Sequence, residues 1–357
     1  MNIAFICGRE GTYPRNQSVL RALMPLGTVY ATYPHGGRLS LNLAQLMGRL
    51  LVAPMRRWDV CFIGFYGQPL VLATRLRWHG PLVFDAFLST YDTYCFDRKV
   101  FAPDSPIGRI AFWLDKRSCE LADIVVLDTW AHLRYFRDTF AIPADKMRVL
   151  YAGCDETLFC PRHLPAEDPP IVLFYGTFLP LHGIEVIVRA AHILRGENVR
   201  FRIVGHGRNE QAIRSLTTRF SVENIEFLPP VAFGELPELI AHSTICLGGH
   251  FGASEKAGRV IGAKTFQCMA MSKPTIVGDN SANRELFTHG RDAWMVKMND
   301  PDALAEGVRS LLSLSDSDRA ALGTAARETV VRAAGNAARR AMIAQIVQDA
   351  VHANAAR

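Results

Sequence analysis

The stretch EKAGRVIGAKTFQCMAMSKPTIVGD, Glu255–Asp279, decides the fold. It reads as a glycine-bearing loop, a helix from about Ala263 to Met271, and a short strand, Pro274-Thr275-Ile276-Val277. Outward from it the same alternation recurs. Ile171-Val172-Leu173-Phe174-Tyr175 is a strand ending at Gly176, Ile184–Leu194 a helix, and Phe201–Gly205, Ile225–Leu228 and Ile245–Leu247 further strands. The N-terminal half repeats the pattern. The apolar run Asn2–Cys7 ends at Gly8, a polar loop and a helical run Ser18–Met24 follow, and strands recur at Thr28–Thr32, Val60–Ile63, Leu82–Phe84, Ile124–Leu127 and Met147–Tyr151. Strands alternating with helices predict βαβ units, hence parallel sheets covered on both faces.

The length of 357 residues is too great for one ordinary core and suits two such domains. The stretch CPRHLPAEDPP, residues 160–170, carries four prolines and reads as the linker. The predicted division is 1–165, 166–335, and a C-terminal helix over 336–357 packing back on the first domain. Alanine-rich helices are expected from Asp302 to about His352.

Hydrophobic residues make up 49% and charged residues 21%, a globular composition with no disorder signature. The net charge of +6 includes no block of five Lys/Arg, so nucleic acid is not an expected partner. A mild positive field suits plain solubility, phosphorylated substrates or an anionic membrane surface. Eight cysteines without C-x-x-C spacing sit mostly in apolar runs and read as free buried thiols of a reducing compartment. No apolar run of spanning length and no signal-peptide pattern occurs, so the expected place is the cytoplasm or the cytoplasmic face of a membrane. Leu39–Arg57, with Arg49, Arg56 and Arg57 at its polar positions, reads either as a helix packed on the sheet or as one lying on an anionic membrane, and Trp113–Arg117 raises the same question more weakly.

Open parallel sheets bind ligands at the carboxyl ends of their strands, so two of them suggest a cleft. In Glu255–Asp279, Gly262 stands at the helix N-terminus between Arg259 and Lys264. Unpaired N–H groups, the helix dipole and two cations make this a candidate diphosphate site. In the first half, Gly8 opens the loop after strand one, with Arg15 and Asn16 close by, and Asp85 ends a strand in Val83–Phe87. The single D-x-D, Asp316–Asp318, reads as a helix cap and not as a metal site. No His/Cys/Asp cluster has ligand spacing, so neither a metal nor a cofactor is expected.

Gln267–Asp279, QCMAMSKPTIVGD, resembles the second half of the E-G-F-G-x-x-x-x-E-A-M-A-x-G-K-P-V-I-x-x-D string of retaining GT-B glycosyltransferases, family 4 or group 1. Ile261–Gln267 is similar to the subgroup form with an I-P-x-K loop before F-E-x-x-A. Gln267 stands where the family has a ribose-binding glutamate, and Arg259 where it has the glutamate facing the donor sugar. Tyr175–Ile184 resembles the family's G-R-x-x-x-x-K-G-I loop, with Gly176 and Thr177 at its start and His182 in place of the lysine. Val204–Arg208 resembles its V-G-x-G-P turn and supplies Gly205 and Gly207.

The resemblance implies a GT-B architecture, two Rossmann-like domains facing across a cleft. It implies a metal-independent, retaining transfer of a sugar from a nucleoside-diphosphate donor to an acceptor hydroxyl. Gly8, Gly176, Thr177, Gly205, Gly207, Arg259, Gly262, Lys264, Gln267 and Glu285 would serve the donor, although Glu285 could equally stabilise its loop. Arg15 and Asn16 would serve the acceptor. Asp85 and His182 are the catalytic candidates: Asp85 for acceptor contact or proton removal, a task the leaving phosphate could also perform, and His182 as a donor to phosphate. The acceptor would be lipid-linked, a glycan or a small molecule, with peripheral membrane contact as an open partner. The alternatives are a non-catalytic sugar-nucleotide binder and a GT-B epimerase.

Overall fold

The computed structural model describes residues 1–35, 39–52, 58–162, 164 and 167–356. The chain divides into two compact units, Met1–Tyr151 with Ala337–Arg357, and Ala152–Asn336.

The first unit holds strands β1 (Asn2–Ile6), β2 (Thr28–Thr32), β3 (Val60–Ile63), β4 (Leu82–Phe87), β5 (Ile124–Leu127) and β6 (Met147–Val149). They form one parallel sheet in the order β2-β1-β3-β4-β5-β6. Strands β3 and β5 are buried at every position, because helices cover both faces. This is why they appear in sequence as unbroken apolar runs. The helices are α1 (Pro14–Leu23), α2 (Leu39–Val52), α3 (Gln68–Arg75), α4 (Pro106–Leu121) and α5 (Trp130–Phe140). Arg56 and Arg57, at the end of the basic apolar stretch, lie outside the described residues.

The second unit holds β7 (Ile171–Tyr175), α6 (Ile184–Ile193), β8 (Arg200–Val204), α7 (Glu210–Arg219), β9 (Ile225–Leu228), α8 (Leu236–Ala241), β10 (Ile245–Gly249), α9 (Ala263–Ala270), β11 (Thr275–Gly278) and β12 (Trp294–Val296). Its parallel sheet runs β12-β11-β10-β7-β8-β9. Phe174, Phe201, Phe251 and Ile187 are fully buried in its core. Each such side chain stabilises the fold by about 1.5–3 kcal/mol. Both sheets are the Rossmann-like sheets of a GT-B fold. Strand order reverses between β1 and β3 in the first unit and between β7 and β10 in the second, the two places where an open parallel sheet leaves a crevice at its carboxyl edge.

The helical tail is three helices: α10 (Pro301–Ser313), α11 (Asp316–Ala334) and α12 (Asn336–Ala355). Ser315 caps α11 by accepting from the Asp318 amide, and Arg319 pairs with Asp316, so the D-x-D opens a helix. From Ala337 onward α12 belongs to the first unit, where Ile343, Ile346, Val347 and Ala350 pack among Ile3, Phe5 and Phe62.

Three features depart from the sequence reading. The first unit ends at Tyr151, and the proline stretch (its residues 163, 165 and 166 lie outside the described ones) follows segments already docked in the second unit. There Asp155 accepts from Thr157 and Asn336, Cys154 donates to the Phe266 carbonyl, and Phe159 is fully buried. Strand β12 spans three residues, too few to show a period. Asp92–Asp97 forms a π-helix, whose wider turn leaves no signature in apolar spacing.

Candidate active site

The carboxyl edge of the second sheet gathers most of the candidate residues. Gly176 follows β7 and Gly249 ends β10, the two strands at the order reversal. Lys264 reaches this point from the first turn of α9. A β-carbon built on Gly176 would lie 3.7 Å from its Nζ, and one built on Gly249 3.8 Å. The side chain is 7% exposed and its ammonium lies over the Phe174 ring, 4.8 Å from the centroid. Among the described residues no carboxylate pairs with it. Burial drives its pKa down from 10.5 to about 7, with Cys268 opposing weakly. A buried ammonium without a counter-ion is costly, which makes this lysine a candidate anion-binding group.

Two imidazoles lie beside it. His182 and His250 stack with centroids 5.2 Å apart and planes 12° from parallel. Nδ1 of His182 lies 2.6 Å from the Thr177 carbonyl. A carbonyl only accepts, so the proton sits on Nδ1 and Nε2 keeps its lone pair. Burial, then the charges of Lys264 and His250, hold the His182 pKa well below its usual value. Burial and then Lys264, with Lys256 adding to it, depress His250 to about 3; Val260's backbone opposes. Nδ1 of His250 is buried with no hydrogen-bond partner. His182 is therefore neutral with its one N–H engaged, and the expectation of a histidine donating to phosphate is corrected: in this state it can only accept. Thr177 contributes its carbonyl to that bond.

Gly262 is the N-cap of α9 in extended conformation, with no side chain capping the helix. A β-carbon there would come within 3.0 Å of the Gly248 carbonyl and 3.4 Å of His250. One turn into α9, Gln267 accepts from the Tyr175 hydroxyl at 2.7 Å. Burial holds the Tyr175 pKa well above its usual value, so the hydroxyl stays a donor and the Gln267 amide NH2 is turned away from it. Arg259, with its side chain largely covered, pairs with the exposed Glu255 at 3.1 Å, and Lys256, not Arg259, is the second cation acting on His250. Glu285 is half-buried in the short turn Asn283–Glu285. Just before it, Asn280 and Ser281 donate to the Ala257 and Gly258 carbonyls, so this loop braces the segment that carries Arg259.

Gly205 and Gly207 answer to packing. Gly205 has φ +139°, and a β-carbon on it would sit 2.1 Å from the Gly176 carbonyl. One on Gly207 would sit 2.7 Å from the Phe178 amide. With Phe178 N donating to the His206 carbonyl, the two loops interlock. Gly176 itself has φ +139°, a backbone that favours glycine.

The first unit corrects three assignments. Asp85 is 0% exposed, and both its oxygens accept from Arg15, at 2.9 and 2.8 Å. Arg15 also donates to the Leu150 carbonyl at 2.6 Å and lies over the Phe87 ring. A carboxylate held this way cannot take a proton from an acceptor, and a guanidinium held this way has no face left for a substrate. Asn16 is buried too: it donates to the Arg9 and Glu10 carbonyls and accepts from the Phe65 amide. It ties the loop after β1 to the loop after β3. Gly8 lies in that tie, where a β-carbon would be 2.4 Å from the Tyr66 carbonyl. What the same edge presents instead is Arg9, over the Tyr13 and Tyr66 rings at 5.4 and 5.9 Å.

Sequence reasoning missed His250, Lys256 and Tyr175. Only the Gly248-Gly249 pair ending β10 hinted that the next residue would lie at the edge. Among the described residues no group of three or more His, Cys, Asp or Glu is placed to hold a metal ion.

Comparison with known proteins matches residues 156–329 to the family profile "Glycosyl transferases group 1". The chain is 25% identical over 295 residues to the protein named colanic acid biosynthesis glycosyltransferase WcaL of Escherichia coli K12, covering 82% of this chain and 70% of that one. It is 25% identical over 211 residues to the D-inositol 3-phosphate glycosyltransferase of Acidothermus cellulolyticus, covering 54% and 46%. Among solved structures, sucrose-phosphate synthase from Thermosynechococcus elongatus superposes with TM-score 0.79 at 17% identity, covering 98% of both chains. Anabaena Alr3699/HepE in complex with UDP superposes with TM-score 0.74 at 15% identity, covering 98% of this chain and 100% of that one.

Proposed function

We propose that this chain, whose residues 156–329 match the glycosyl transferases group 1 profile, transfers a sugar from a nucleoside-diphosphate donor to an acceptor hydroxyl, with retention and without a bound metal. One observation carries the reading: the buried, carboxylate-free Lys264 ammonium at the reversal of the second sheet. Negative charge grows on the diphosphate as the bond to the sugar breaks. A protonated Lys264 and the amides of the first turn of α9 would stabilise that charge from fixed positions in a poorly solvated place. The lone pairs on His182 and His250 suit hydroxyl groups of the donor sugar. The Gln267 amide, oriented by Tyr175, suits the ribose, donating where the family's glutamate accepts.

The acceptor proton needs a destination. Asp85 is occupied by Arg15, so we assign the proton to the departing diphosphate oxygen, which gains basicity as the old bond breaks on the face where the new one forms. That geometry gives retention. A uridine donor is the first candidate, because the HepE neighbour was solved with UDP. The WcaL likeness suggests a glycan or lipid-linked acceptor, and we place the enzyme peripherally at a membrane's inner face.

Thermal-shift screening of UDP-, GDP- and ADP-sugars tests this. One class should raise the melting temperature by mass action, in the presence of EDTA as well as in its absence. Lys264→Ala should lose the shift. A shift that survives the substitution would place the diphosphate elsewhere, and a shift or sugar transfer abolished by EDTA would refute metal independence.

A further inference from the structure

We propose that the first unit docks on an anionic phospholipid bilayer through a strip formed by the end of α2, the end of α3 and the outer face of α4. This extends the membrane placement proposed above and names the surface.

Ile107, Ile110 and Trp113 recur every third residue along α4 and so share one face. They are 50%, 61% and 53% exposed, unusual for large apolar side chains on one helix face. The strip continues. Trp113 and Leu76 line a single groove together with Leu72 and Leu121 and polar neighbours that include Arg117 and Glu120. Leu76, just past α3, is 71% exposed. Its neighbour Arg77 donates to the Leu51 carbonyl at 2.8 Å, which brings the end of α2 alongside, where Val52 is 81% exposed. No helix among the described residues is long and apolar enough to cross a membrane, so the strip fits a surface contact.

Charge selects the partner. Arg77, Arg109, Lys116 and Arg117 border the apolar residues, against the carboxylates Asp104 and Glu120, and Glu120 is shared by Arg117 at 3.1 Å and Lys116 at 3.9 Å, which leaves a positive excess. An apolar stripe with Trp and flanking cations matches the boundary between lipid headgroups and acyl chains. Trp rings are enriched there, and long cationic side chains reach outward to phosphate.

The test needs neither donor nor acceptor, so its failure leaves the transferase reading standing, and failure of that reading leaves this one testable. The full chain is sedimented with vesicles of phosphatidylcholine alone and of phosphatidylcholine with about a third phosphatidylglycerol. Binding to the anionic vesicles is expected, much weaker binding to the neutral ones, and release by high salt. Ile110→Glu and Trp113→Glu should each weaken vesicle binding at least about tenfold while circular dichroism and melting temperature match the parent, because both sites are exposed. Trp113→Ser provides the same loss without added charge. The proposal is overturned if the parent does not sediment with anionic vesicles, if it binds neutral vesicles equally, if the variants bind like the parent, or if they change only the native mass.

Discussion

Lys264→Met is expected to make the protein more stable and unable to bind its donor. The folded state holds the Lys264 pKa at about 7 against 10.5 for the free side chain. Folding therefore works against the protonated form. The penalty is complete below the folded pKa of about 7, fades as pH rises from there toward 10.5, and is gone above it. At neutral pH it is worth roughly 4–5 kcal/mol, from about 1.4 kcal/mol per pKa unit. Methionine keeps an unbranched chain over the Phe174 ring without a charge to bury. Denaturant titration at neutral pH should show the variant more stable, with the gap closing as pH rises. Equal stability at all pH values would mean the lysine is solvated. The gain in stability with loss of binding is the trade-off expected where a site holds a destabilised group for function.

Asp85→Ala is expected to destabilise the first unit by about 3–5 kcal/mol, because it leaves the Arg15 guanidinium buried without its counter-ion. The double change Arg15→Met/Asp85→Leu should recover much of the loss, since it removes both charges together. A base would behave differently. If Asp85 took the acceptor proton, Asp85→Asn that still folds would lose about 100-fold or more in turnover. The pairing seen here predicts that turnover per folded molecule is retained.

Most of the fold was legible because parallel strands covered on both faces have to be apolar throughout. Val60–Ile63, Ile124–Leu127 and Ile171–Tyr175 are such runs. The unit boundary was not legible. Prolines mark a loop's surface chemistry, whereas the boundary is set by which segments pack together, and Cys154 and Phe159 pack before the prolines arrive. The donor side was partly legible: a glycine at a helix start followed by a lysine describes Gly262 and Lys264 without reference to distant residues. Asp85 misled because Arg15 lies 70 positions earlier and meets it only in the folded sheet. His250 escaped because its position comes from the end of β10 and its stacking on His182, neither of which leaves a pattern in the chain.

Calorimetric titration of the donor across pH addresses the central claim most directly. A diphosphate diester has no group titrating between about pH 7 and pH 9, and both histidines stay neutral there, so Lys264 is the group at the site left to respond. Affinity should fall about tenfold per pH unit above pH 7, and heats measured at about pH 8 in buffers of different ionisation enthalpy should report uptake of close to one proton per donor bound. Affinity that stays flat over this range, with no proton taken up, would show that the diphosphate does not meet Lys264.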